Sequence, residues 1–135
     1  MKKLLLIALL IAGCESPTEN GEQENNSATN TSDLIGTWIY ESDVVSQELI
    51  FNQNGKFEFN RSFNGSNTVD VDGSYIIDNV QIIFYDENNT LYVGMLCDPG
   101  KYEFLISNNT LNLSHIEDNC WERVAFLELT HIKSN

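Results

Sequence analysis

The strongest constraint on this chain is the rhythm of its turns. From Leu34 onward helical periodicity is nearly absent, and a turn signal interrupts the sequence every 8 to 14 residues. Asn52-Gln53-Asn54-Gly55, Asn64-Gly65-Ser66-Asn67, Asp78-Asn79, Asp86-Glu87-Asn88-Asn89, Asp98-Pro99-Gly100 and Asn108-Asn109 separate short runs rich in β-branched and aromatic residues. One run, Lys56-Phe57-Glu58-Phe59-Asn60, alternates cleanly and puts Phe57 and Phe59 on one face. The strands expected are Ile35–Glu41, Gln47–Asn52, Lys56–Asn60, Thr68–Ile77, Val80–Tyr85, Thr90–Cys97, Lys101–Ser107, Thr110–Ile116 and Phe126–Lys133. Asp118–Val124 reads as a short helical turn with Asp118 as its N-cap.

Eight or nine short neighbouring strands either form an open sandwich or close on themselves. Closure removes the edges, and about eight strands leave room for packed side chains or one small ligand. The expectation is therefore an all-β protein: a small antiparallel up-and-down β-barrel with a helical turn before the last strand.

The N-terminus is different in kind. Met1-Lys2-Lys3, an apolar stretch from Leu4 to Ala12, and Gly13-Cys14 form the three parts of a secretory signal. As a helix the apolar stretch would rise only about 14 Å, whereas a bilayer core needs about 20 residues. Ile11-Ala12-Gly13-Cys14 resembles the lipobox of bacterial lipoproteins. That resemblance implies cleavage before Cys14 and acylation of its thiol and its new amine, and so an anchor in the cell envelope. Glu15 after the cysteine favours the outer membrane over retention in the inner one. Residues Glu15–Ser32 hold one apolar side chain, Ala28, and read as a flexible acidic leash. The chain thus divides into a signal peptide (1–13), a lipidated cysteine with its linker (14–33) and a barrel domain (34–135).

The domain sets fifteen acids against five bases, Lys56, Arg61, Lys101, Arg123 and Lys133. Such a surface disfavours nucleic acid, whose binding depends on Lys and Arg neutralising phosphates, and disfavours direct adsorption to anionic lipid. Self-repulsion and solubility account for it, a monomer is expected, and a cationic partner stays open. With Cys14 assigned to lipid, Cys97 and Cys120 remain as an even pair in an exported domain, where a disulfide is the default and two buried thiols the alternative. The bond would close a loop of about 24 residues and stabilise by about 3 kcal/mol.

Leu34-Ile35-Gly36-Thr37-Trp38 is similar to the G-x-W opening of the lipocalins and wider calycins. The chain resembles, more narrowly, small bacterial lipocalin-like domain lipoproteins. The resemblance continues through Leu49–Phe59, Gly73-Ser74-Tyr75, Cys97-Asp98-Pro99-Gly100-Lys101-Tyr102, Thr110–Leu113 and Asp118-Asn119-Cys120-Trp121-Glu122-Arg123, in that order. It implies that Gly36 bends the chain into the barrel floor, that Trp38 plugs that end, and that Arg123 lies across the tryptophan.

Catalytic and metal-binding patterns are missing from the sequence. No G-x-S-x-G, H-E-x-x-H or C-x-x-C is present, and His115 and His131 fall on different strands, where surface or strand-end positions are expected. Asp70-Val71-Asp72-Gly73 lacks the remaining ligands of a calcium loop. No catalytic residue, metal or cofactor is expected. Two functions remain: a tethered cup for a small apolar ligand, or an envelope protein-interaction or inhibitor module with an acidic surface and no cavity. In the first, Tyr40, Phe57, Phe59, Tyr75, Phe84, Tyr92, Tyr102 and Phe104 would line the cup; in the second, the same rings would fill it.

Overall fold

The computed structural model describes residues 31–89 and 97–135. Among them are eight strands: β1 (Gly36–Glu41), β2 (Val45–Phe51), β3 (Lys56–Phe63), β4 (Ser66–Asp78), β5 (Gln81–Asn89), β6 (Gly100–Ser107), β7 (Thr110–Glu117) and β8 (His131–Lys133). Each pairs antiparallel with the next, and β8 pairs with β1, closing an up-and-down barrel. A single turn, α1 (Thr31–Leu34), precedes the barrel, and a two-turn helix, α2 (Trp121–Leu127), joins β7 to β8. The all-β barrel with a short helix before its last strand is as the sequence implies. The segment read as a signal, Cys14, the linker as far as residue 30, Tyr92 and the strand expected over Thr90–Cys97 lie outside the described residues, save Cys97 itself, which is in no strand.

Turn chemistry closes the hairpins. Asn64 and Gly65 both take positive φ (50° and 77°), as do Asn108 and Asn109 (50° and 61°), giving two-residue loops whose twist matches the flanking strands. Asn79, at φ 56°, turns β4 into β5. Asparagine tolerates this backbone region better than other residues with a Cβ, which explains its repeated use here.

The barrel has a floor and a mouth. The β2–β3, β4–β5 and β6–β7 turns lie at the floor with α1; the β1–β2 and β3–β4 turns and α2 lie at the mouth. At the floor Gly36 sits at φ +125°, a conformation closed to ordinary side chains, and swings the chain from α1 into β1. Trp38 is fully buried there and donates from Nε1 to the Leu34 carbonyl at 2.7 Å.

Inside, alternate residues of each strand form one core. Phe84 is at its centre, 5.0 Å from the Phe57 ring, 5.8 Å from Tyr102 and 6.0 Å from Phe51, which in turn meets Tyr75 edge-on at 5.1 Å. Such pairs contribute about 0.5–1.5 kcal/mol each beyond their burial.

Four sequence expectations are corrected. Asp86-Glu87-Asn88-Asn89 is not a turn but the end of β5: a bulge between Asp72 and Gly73 sets Asn88 opposite Asp72, where its amide donates to both carboxylate oxygens at 3.0 and 3.1 Å. Those side chains are polar because they pair with their neighbours, and a polar run therefore mimics a loop. The helix runs Trp121–Leu127 and is capped by Cys120, not Asp118, so the last strand starts at His131 rather than Phe126. Arg123 is not at the floor; it is in α2 at the mouth, and Lys133 takes its expected place, with Nζ 5.1 Å from the Trp38 ring centroid. The fourth concerns His131, which opens β8 at the strand-end position expected but is buried within the barrel rather than at the surface.

Candidate functional site

Two sequence segments converge at the mouth. Cys97 and Cys120 form a disulfide with Cα atoms 5.8 Å apart, fixing the start of α2 to the segment leading into β6. Beside it, the Asn119 and Asp98 side chains bond to each other at 2.8 Å, and Asp98 N–H donates to Asn119 Oδ1 at 3.1 Å. One turn into α2, Arg123 points inward and is buried.

The Arg123 guanidinium holds three groups together. Nε and Nη2 grip the two oxygens of Asp118 at 2.6 and 2.8 Å, Nη1 reaches Asp86 Oδ2 at 2.8 Å, and Nη2 also donates to the Asp98 carbonyl at 2.6 Å. Tyr102 donates its hydroxyl to Asp118 from below, and the Cys120 N–H adds a bond of 2.8 Å to the same carboxylate. Burial pushes the Asp118 carboxyl up, but the bonds from Arg123, Tyr102 and Cys120 outweigh it and hold its pKa below the usual value. Burial raises the Tyr102 phenol, and the facing Asp118 carboxylate raises it further. Burial alone would lower the Arg123 pKa, yet Asp118 and Asp86 raise it, so the cation stays charged.

Gly100 makes room for this cluster. A Cβ there would stand 2.3 Å from Asp118 Oδ2 and 2.7 and 2.8 Å from two guanidinium nitrogens. Cys97, Gly100 and Tyr102 on one segment, and Asp118, Cys120 and Arg123 on the other, therefore form one buried lock. A bidentate ion pair, with a bond to each guanidinium nitrogen, orients α2 on the barrel.

The lock holds α2 as a plug. Leu127 is buried, Phe126 stacks on Phe59 with ring centroids 6.0 Å apart, and the Arg61 guanidinium lies over the Phe126 ring, 3.9 Å from its centroid. On the far side of the mouth Gln47, fully buried, donates to the Phe126 carbonyl at the end of α2 (2.8 Å) and to His131 Nε2 (2.7 Å). His131 is thus the neutral tautomer protonated on Nδ1. Burial lowers its pKa to about 4, with a small opposing effect from the Leu129 backbone.

Depressed His131 basicity has a stability consequence. The unfolded chain takes up a proton near pH 6.5 and the folded one only near 4, so stability is complete above about 6.5 and falls between those values. Urea unfolding of the native chain is expected to lose about 2–3 kcal/mol more between pH 7 and pH 4.5 than that of His131→Gln. Equal losses in the two proteins would refute the assignment.

Of the aromatics named from sequence, Phe57, Phe59, Tyr75, Phe84, Tyr102 and Phe104 are buried in the core, while Tyr40 is half-buried with its ring edge-on to His131. Between the core and α2 lies a void of about 20 Å³, bounded by Phe57, Phe59, Val71, Phe84, Phe126 and Leu127 with Asp86 and Arg123 at its side. That is room for about one water, whereas small-molecule pockets run to about 300–1,000 Å³. A broader hollow of about 400 Å³, partly open to solvent, lies at the floor between Asp33, Trp38, Ile106, Asn108 and Lys133, at the opposite end from α2.

Sequence reasoning missed Asp86, read as a turn acid, and the Gln47–His131 pair. Gln47 did carry a signal: it shares the inward phase of Leu49 and Phe51, so a buried amide needing partners was legible there. Comparison with protein-family models, curated proteins and solved structures gives no match to this chain.

Proposed function

We propose that this chain is a membrane-tethered, lipocalin-like protein-interaction module of the cell envelope, and that its barrel is a rigid scaffold rather than a carrier of an apolar ligand. The observation that carries the reading is the plugged mouth: α2 is locked over a core whose remaining void, among the described residues, admits about one water. A cup would require α2 to lift, breaking the Arg123 cluster and exposing Phe126 and Leu127 together.

The lipid anchor rests on the likeness of Ile11–Cys14 to a lipobox. The chain leading back to Cys14 leaves from α1 at the floor, held there by the buried Leu34 and by Lys133 Nζ donating to the Asp33 carbonyl at 2.7 Å.

Native mass spectrometry of the full chain, purified from its own host, separates the two functions. The scaffold reading expects the mass of the protein with its processing and acyl groups and nothing retained noncovalently. A stoichiometric apolar compound that survives desalting would overturn it in favour of the cup.

A further inference from the structure

The outward face of α2 has a composition that its role as a plug does not require. Trp121 is 70% exposed, more than any other large apolar residue among those described. Ala125 and Glu128 continue the same exposed face at helical spacing, while Arg123 and Leu127 take the buried side. In its first turn this tryptophan is held by its neighbours: Cys120 by the disulfide, Asn119 by Asp98, and Arg123 by the buried lock. With its backbone position fixed in this way, Trp121 has only its two side-chain torsions to order on binding, which suits a hot-spot anchor.

Its surroundings specify the chemistry of what would cover it. Asp98 is exposed beside the disulfide, Glu122 follows Trp121, Glu128 ends the helix, and Glu117 and the exposed Ile116 end the adjoining β7. Lys101, opposite Glu117 on β6, is the nearby base. Acids around an apolar anchor repel anionic lipid headgroups and complement a basic rim. The net charge of −13 would speed the encounter with a cation.

We infer that the exposed face of α2, centred on Trp121, docks a partner protein presenting an apolar pocket within a basic rim. This rests on the interaction reading above and adds the surface and the partner's charge to it.

Site-specific photocrosslinking tests it in the full chain in its own host. Benzoylphenylalanine is placed at Trp121, at Ala125, and at Leu105 on the barrel wall, which is 56% exposed. Expected is one discrete adduct at positions 121 and 125 and none at 105. The captured protein should have an isoelectric point above about 9, and the adduct should fall at least about tenfold when Glu117→Lys and Glu122→Lys are combined. An adduct at 105 alone would sink the surface and leave the interaction reading standing. An acidic partner, a lipid, or a second copy of this chain at 121 would overturn the inference, as would an adduct indifferent to the charge reversal. No adduct at any position would also overturn it; with a retained apolar compound in the mass spectrum, the interaction reading falls too.

Discussion

Arg123→Met is expected to cost about 3–5 kcal/mol of folding stability, because it strips the counterion from two buried carboxylates while leaving them in place. Asp118 is fully buried and Asp86 nearly so, and both lose their charged partner at once. For a domain whose whole stability is about 5–15 kcal/mol, that loss would leave the variant marginal at room temperature. The pH dependence has a definite sign. In the native chain the lowered Asp118 pKa contributes stability that is present above about pH 4 and lost as pH falls through the folded value. Without Arg123, burial dominates and the carboxyl pKa rises, so the gap between native and variant narrows as the solution is acidified. Adding Asp118→Asn and Asp86→Asn to Arg123→Met should recover a substantial part of the loss, since a cluster without charge has no uncompensated ion to bury. Urea unfolding at pH 7 and pH 4 measures all three. A single-variant cost below about 1 kcal/mol would contradict the lock.

Gly73→Ala is expected to cost about 3 kcal/mol, at the upper end of what overpacking does. The added Cβ would lie 2.0 Å from the Tyr85 carbonyl oxygen, 2.9 Å from the Phe57 ring and 3.0 Å from Asp86 Cα. Two of these are backbone atoms of β5 and cannot rotate away, so the β4–β5 bulge itself must shift. That bulge brings Asp86 opposite Gly73, and Asp86 is the carboxylate bound by Arg123 Nη1. The same substitution should therefore loosen α2 as well as the sheet. Urea unfolding followed by far-ultraviolet dichroism would report it, and a cost under 1 kcal/mol would show that the bulge yields easily.

Much of this architecture was legible because its signals are local. Alternation in Lys56–Phe59 and Asn-based turns such as Asn64-Gly65 are written within a few residues and yield eight or nine strands, while closure was chosen over an open sandwich because it removes edge strands. The disulfide was legible from the cysteine count together with the exported location that the N-terminal pattern implies. What escaped is non-local. Asp86 looks like a turn residue until the bulge 13 residues earlier in the chain, at Gly73, places it beneath α2. Arg123 was placed over Trp38 by resemblance, yet the lysine of β8 occupies that position and the arginine is at the opposite end. The Phe126–Phe59 stack depended on helix continuing past Val124, where the apolar run Val124-Ala125-Phe126-Leu127 fits a strand or a helix equally well.

The central claim is that α2 seals the mouth over a filled interior, and proton–proton nuclear Overhauser contacts in solution test it most directly. The account predicts strong contacts between the Phe126 and Phe59 rings, and between Leu127 and the core, in the oxidised chain at pH 7. Loss of those contacts, with exchange-broadened α2 resonances under conditions where the Phe57–Phe84 contacts persist, would show an opening mouth and contradict it.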